Sequence, residues 1–119
     1  AYSVTFNVTG DRLNAILNQR SQDILAAGNW NVVQYAALVM MIAQVSGLKP
    51  GILMHVIADA HIYDRHIPIV KDLITRPTYP APKVTLNPLV KDFYEFTVDD
   101  FTIEDYQTGP QIKGIPIAE

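Results

Sequence analysis

The sequence predicts an α+β fold, with helices packed on a mostly antiparallel or mixed twisted sheet. Three observations predict it. The first residues alternate apolar with polar, as in a half-buried strand. A long apolar stretch in the middle of the chain has helical spacing and ends at Gly47 and Pro50. The elements follow in the order strand, strand, helix, strand, helix, strand, without the regular strand–helix repeat of a fully parallel sheet.

Each element has a local reason. Tyr2, Val4, Phe6 and Val8 alternate with Ser3, Thr5, Asn7 and Thr9, a period of two residues. Thr9-Gly10-Asp11 is a turn signal. A second strand over Arg12 to Gln19 puts Leu13, Ala15 and Leu17 on one face; Ile16 breaks the alternation, so part of it is expected to be covered on both sides. The two strands read as a hairpin. After the polar cluster Gln19 to Asp23, a helix is expected to start near Trp30 or Asn31, capped by Asn29 or Asn31. It runs through Tyr35, Leu38, Met41, Ile42 and Val45. Apolar residues nearly encircle it, which places it deep in a core, with Trp30, Met40 and Met41 read as part of that core. Gly51 to Tyr63 reads as a turn and a strand. A second helix spans about Asp64 to Thr75, with Ile67, Val70 and Ile74 on one face and Pro77 closing it. The proline-rich stretch Thr78 to Pro88 is extended, with a short strand at Lys83 to Leu86. A short final strand is expected to cover Tyr94 to Ile103, before an irregular tail from Gly109 to Glu119.

The chain has 119 residues, so one domain is expected. Hydrophobic residues make up 49% and charged residues 18%, too apolar a balance for a disordered chain. Nine Lys and Arg face twelve Asp and Glu, for a formal charge of −3, and no basic footprint for duplex nucleic acid forms. A small anion needs only a local cluster and stays open. With no cysteine, disulfides, thiolate zinc sites and a cysteine nucleophile are excluded within these residues. The run from Val32 to Leu48 is interrupted by Gln34, Gln44 and Ser46 and is shorter than the ~20 residues of a membrane span. No signal peptide is visible at Ala1-Tyr2-Ser3-Val4, and a cytoplasmic location is the default expectation.

Three polar groups are not explained by periodicity. Arg20-Ser21 offers a guanidinium fork beside a hydroxyl, which can grip a phosphate or simply end a strand in solvent. Asp59, His61 and Tyr63 share one face of a strand. They can hydrogen-bond a sugar, form a structural network, or begin a metal site with His66; the metal is disfavoured because no third strong ligand is evident. Asn31 is either a helix cap or a reader, since its carboxamide presents a donor and an acceptor along one edge, matching O4 and N3–H of uracil. Cytosine presents the opposite pair. Asp99-Asp100 is a weaker candidate for a cation, and Lys71 and Lys91 read as surface.

These hints meet in one family. Gln19-Arg20-Ser21-Gln22-Asp23 followed by Asn31-Val32-Val33-Gln34-Tyr35-Ala36 resembles the phosphate-and-base segment of thymidylate synthases. Asp59-Ala60-His61-Ile62-Tyr63 is similar to their nucleotide-sugar motif, and Met41 to Leu48 to their core helix. Asp100-Phe101 and Pro116-Ile117-Ala118 are similar too, so the resemblance covers essentially the whole chain. It implies a partial thymidylate synthase fold in which residues 1–119 are the C-terminal portion of a single domain. It implies that Arg20 and Ser21 bind the phosphate of dUMP, that Asn31 reads the uracil edge, and that His61 and Tyr63 hold the 3′-hydroxyl. Asp23 would contact the pterin of the folate, Ala118 and its neighbours would close over the ligands, and Gln19 would support the network. Asn31 and Arg20 would also assist catalysis, Asn31 at the charge developing on O4 and Arg20 near the attacking sulfur.

The reaction implied is the reductive methylation of dUMP to dTMP with 5,10-methylenetetrahydrofolate as cosubstrate and no metal. Further partners implied are a second copy, in a homodimer built sheet against sheet, and an N-terminal part of the same protein. The family's cysteine nucleophile would fall one position before Ala1, so the 119-residue chain alone is expected to be inactive. Three departures stand out. The family pattern Gly-x-Pro-Phe-Asn reads Ala27-Gly28-Asn29-Trp30-Asn31; the sugar-motif Asp follows Ala58 instead of Gly; and the chain ends in Glu119. Two other readings stay open: a uracil nucleotide hydroxymethylase, and a non-catalytic nucleotide-binding remnant.

Overall fold

The computed structural model describes residues 1–117. A three-stranded sheet is ordered β1-β2-β3, from Ser3–Thr9, Arg12–Asp23 and Lys49–His61. β1 and β2 form the expected antiparallel hairpin, with Thr9 opposite Arg12. Gly10, at φ +60°, makes the turn that joins them. β3 returns parallel to β2 after the crossover helix α1, Gly28–Val45. A 3₁₀ turn at Asp64–His66 leads into α2, Ile67–Leu73. A second sheet pairs β4, Lys83–Leu86, with β5, Phe101–Glu104. The α+β class and the mixed sheet are as the sequence predicts.

The core lies between α1 and the β2–β3 part of the sheet. Leu13, Ala15 and Leu17 are buried along β2, and Val39 and Ala43 along α1. Val4, Ile42, Leu48 and Leu53 pack around them. Gln44, a polar break in the apolar helix, ties the loop after β4 to α1. Its Nε2 donates to the carbonyls of Asn87 and Val90, both at 2.9 Å.

Several expectations are corrected. β2 runs four residues beyond Gln19, through the polar cluster, because β3 supplies it with a hydrogen-bonded neighbour to Asp23. Ile16 is exposed, since it points away from α1; among the described residues no second layer covers that face. Phe6 and Val8, on the helix-facing side of β1, are exposed as well, because α1 lies over β2 and β3. α1 is less enclosed than predicted: only Val39 and Ala43 are buried, and Trp30 is 80% exposed. Neither Asn29 nor Asn31 caps it; Ala27 holds the cap position without a side-chain bond. The second helix divides at its start, where Pro68 sits in the first turn of α2, and Ile74 is exposed. Residues Tyr94 to Ile103 are strand only from Phe101; before it lie 3₁₀ turns at Phe93–Glu95 and Val98–Asp100. Asp92 caps the first turn, and Thr97 with Asp100 forms a capping box on the second. Among the described residues no helix is long and apolar enough to cross a membrane.

Candidate functional site

The parallel register of β2 and β3 brings the polar segments of the sequence together. Ser21 lies opposite Asp59, and Asp23 opposite His61. The site therefore forms at the carboxyl ends of two adjacent strands, beside the start of α1, where side chains have only one helix to cover them.

Gln19 continues the buried row Leu13, Ala15, Leu17, so its amide is carried indoors and must find partners. Its Nε2 donates to the Ser21 carbonyl (2.9 Å) and to Asn31 Oδ1 (3.2 Å), while its Oε1 accepts from His55 Nε2 at 2.8 Å. Gln22 is buried as well, and its Nε2 donates to the Gly28 carbonyl (3.1 Å) and to Asn31 Oδ1 (3.4 Å). Asn31, half-buried one turn into α1, is thus joined to both glutamines. Arg20 is exposed, and its guanidinium makes no hydrogen bond or ion pair among the described residues. Ser21 is half-buried.

His61 sits at the end of β3, its Nδ1 3.3 Å from the Asp59 carbonyl and 3.6 Å from Asp59 Oδ2. Its ring meets Tyr63 edge-on at 5.2 Å, and Tyr63 meets His66 edge-on at 5.7 Å. Asp23 bends the chain after β2: its Oδ1 accepts from the backbone N–H groups of Leu25 and Ala26, both at 3.2 Å. His66 is buried, donating from Nε2 to the Pro116 carbonyl at 2.8 Å. Its Nδ1 is buried without a hydrogen bond, 3.9 Å from Asp23 Oδ1. Arg65 donates to the Ile117 carbonyl at 3.2 Å, so the 3₁₀ turn holds the tail at two successive residues.

Asp23, Tyr63, His66, Trp30, Pro116 and Ile117 line part of an open cavity of about 550 Å³. A larger groove of about 820 Å³ runs beside Arg76, Tyr79 and the segment 107–112, and holds none of the residues singled out in the sequence. We place the site at the smaller cavity, because it joins polar groups from the end of β2, the turn after β3 and the tail.

Arg20, Ser21, Asp23, Asn31, His61 and Tyr63 therefore all lie on the β2 and β3 ends and the adjoining turn and helix. Arg20 and Ser21 are successive residues of β2, Arg20 exposed and Ser21 half-buried. Ala118, expected in the closing tail, and the terminal Glu119 lie outside the described residues. Among the described residues no group of three or more His, Cys, Asp or Glu is placed to hold a metal ion. Of Asp99-Asp100, Asp100 ties the loop together instead: it accepts from Asn87 Nδ2 at 2.9 Å and from the Thr97 N–H at 2.8 Å, which holds its carboxyl below the ordinary carboxylate pKa. Lys49, 2.8 Å from Asp11, lowers that carboxyl likewise, at the far end of the sheet.

Gln22 and His55 join the site without a role assigned to them from the sequence; His66, weighed there as a metal ligand, bonds the tail instead, and Trp30, read there as core, is exposed. For Gln22 and His55 the available signal is a polar side chain in or beside an inward-facing apolar row.

A family model described as thymidylate synthase matches residues 1–118. Among solved structures, the fold is similar to thermostable thymidylate synthase A from Bacillus subtilis, with a TM-score of 0.91 and 37% sequence identity. That match covers 95% of this chain and 41% of the Bacillus protein, so the chain spans less than half the length of its relative.

Proposed function

The chain belongs to the thymidylate synthase family, and on that premise we propose that the full-length protein converts dUMP to dTMP with 5,10-methylenetetrahydrofolate as cosubstrate. The observation that carries the proposal is the family match along residues 1–118, which spans every residue given a role here. Arg20 and Ser21 bind the phosphate, the guanidinium through charge-assisted hydrogen bonds. His61 and Tyr63, in edge contact, hold the 3′-hydroxyl of the sugar. Asn31 donates to O4 of the base and stabilises the negative charge that builds there when a nucleophile adds to C6.

The cavity at Asp23 suits a pterin. Asp23 Oδ1 is engaged by two backbone N–H groups, which fixes the carboxylate and leaves Oδ2 to accept from a ring amine. The exposed Trp30 ring offers an apolar wall beside it. When bound, the folate supplies the one-carbon unit and the hydride that reduces it to a methyl group. The chain's part is to bind, orient and exclude water, the last through the tail held by Arg65 and His66. No cysteine is present among the 119 residues, so they supply binding and charge stabilisation but not the thiolate. The 119-residue chain by itself is expected to form no dTMP.

Product analysis of the full-length protein with dUMP and methylenetetrahydrofolate tests the reading. dTMP with one equivalent of dihydrofolate supports the synthase. A hydroxymethyl nucleotide without dihydrofolate would make it a hydroxymethylase, and nucleotide binding without turnover a remnant. We further propose a homodimer through the sheet face opposite α1, in a soluble, cytoplasmic enzyme.

A further inference from the structure

His66 lies between the end of β2 and the tail, and is only 2% exposed. Its Nε2 stands 2.8 Å from the Pro116 carbonyl. A carbonyl only accepts, so that nitrogen carries a hydrogen. The ring is not turned over, because a ring carbon keeps about 3.3 Å or more from a carbonyl oxygen. Nδ1 therefore faces the other way. It is buried, has no hydrogen bond among the described residues, and lies 3.9 Å from Asp23 Oδ1. In a neutral ring this nitrogen is a bare lone pair set toward a carboxylate, which is costly where water is shut out. A proton on Nδ1 turns the same contact into an ion pair. Asp23 is the only ion-pair partner within 4 Å of His66 among the described residues. Tyr63 meets the ring edge-on at 5.7 Å, and α1 brings only the apolar Trp30 to the cavity. Asp64 and Arg65 share the 3₁₀ turn with His66, and Arg65 is engaged by the Ile117 carbonyl. The tail contributes backbone carbonyls and the exposed Lys113; its Glu119 lies outside the described residues.

We propose that His66 works as an imidazolium that ties the tail to Asp23: Nε2–H holds the Pro116 carbonyl and Nδ1–H faces the carboxylate. The inference rests on the proposed folate site at Asp23. The Asp23 side chain is 22% exposed, on the open side of the cavity. A pterin seated there shuts water out and strengthens the attraction between carboxylate and imidazolium. By linkage, the proton and the folate then favour one another. The imidazolium also orders the tail where it borders the cavity, so a proton on Nδ1, a closed tail and a bound folate belong to one state. His66 is a positioning residue: it acts on the folate through Asp23 and the tail.

The test measures the dissociation constant of dihydrofolate in the presence of saturating dTMP, in the full-length protein, from about pH 6.5, the ordinary imidazole value, to about pH 8.5. Wild type is compared with His66→Gln, which keeps an amide donor for the Pro116 carbonyl and has no group that titrates. Wild type is expected to bind dihydrofolate at least about fivefold more weakly at the alkaline end, the low end of a coupling between two sites. His66→Gln is expected to lose that slope and to bind at every pH about as wild type does at the alkaline end. A flat wild-type profile, or the same slope in His66→Gln, would overturn the inference. Should the variant not fold, ring ¹⁵N shifts of His66 in the wild-type complex with dTMP and dihydrofolate decide at about pH 6.5. Protons on both ring nitrogens support the imidazolium, and a bare Nδ1 refutes it. Wild type that binds dTMP but no dihydrofolate removes the folate site and this inference, and leaves the nucleotide site. Wild type that binds neither removes the proposed function and this inference with it.

Discussion

Arg20 and Asn31 illustrate two ways a polar side chain serves a site. Arg20 has no partner among the described residues, so it contributes nothing to the fold that a substitution would forfeit. In the full-length protein, Arg20→Ala is expected to raise KM for dUMP roughly 10- to 100-fold, the worth of a charge-assisted bond to phosphate, while the melting temperature stays nearly constant. Steady-state kinetics beside a thermal melt check it; a large drop in melting temperature would assign Arg20 a structural role instead. Asn31 is tied to two glutamines and cannot be separated from its surroundings in this way. Arg20, Asn31 and His61 are legible in the sequence because each breaks a pattern or fits a motif. Gln22 and His55 are not, because nothing in a linear sequence says that two glutamines of one strand will donate to one oxygen on a helix. That follows only when β2, β3 and α1 converge.

Elements are legible where their punctuation is local. Gly47, at φ +69°, ends α1 as expected, and the short β4 has the predicted bounds. The start of α1 differs from expectation because an asparagine near a helix start normally caps it, and here the Asn31 side chain is taken by a tertiary network. β3 holds a less visible device. The pairing jumps from Leu13↔Pro50 to Ala15↔Leu53, so β3 carries an extra residue there. The Ile52 N–H, freed from the ladder, bonds Asn14 Oδ1 at 2.8 Å. A Cβ on Gly51 would stand 2.8 Å from the Leu13 carbonyl, which belongs to the backbone and cannot swing aside. Gly51→Ala is therefore expected to destabilise the fold by about 1–3 kcal/mol, read from denaturant unfolding. The segment before β5 forms two capped 3₁₀ turns because Asp92 and Asp100 offer the backbone closer partners than a neighbouring strand. Asp100 also sets a pH dependence. Its folded pKa is lowered by the bonds from Asn87 and Thr97, so the stability it adds is complete above the ordinary Asp value of about 3.9 and is lost as pH falls through the lower folded value. Hydrogen exchange at the Asn87 amide, which donates to the Asp100 carbonyl, should quicken relative to β2 over that acid range, and Asp100→Asn should blunt the change.

At the scale of the molecule, the surface is larger than the mass accounts for. A compact monomer of 13.3 kDa exposes about 6,500 Å², whereas this chain exposes 8715 Å². Its radius of gyration is 16.6 Å, against about 13–14 Å for a compact chain of this length. Period-two patterning shows which residues share a face of the sheet, but not whether anything covers it. The face opposite α1 has no layer from these residues: Ile16, Met54 and Val56 are 41%, 55% and 45% exposed, flanked by Ser3, Thr5 and Asn18. Ile16 and Met54 are register partners, so they form one apolar patch across two strands, and polar residues border it as at a protein interface. On the proposed dimer this patch meets its own copy across a twofold axis, which places each Met54 in a desolvated centre. Met54→Lys then buries a charge in both copies at once. In the full-length protein it should raise the dimer dissociation constant by at least 100-fold, measured by sedimentation equilibrium, because a lysine ammonium without a partner is costly to desolvate. Thr5→Lys, at the edge of the same face, keeps its charge in water and should change the constant by less than about tenfold. Equal effects from the two variants would mean that the patch is not the centre of the contact, and a wild-type monomer at micromolar concentration would remove the dimer altogether.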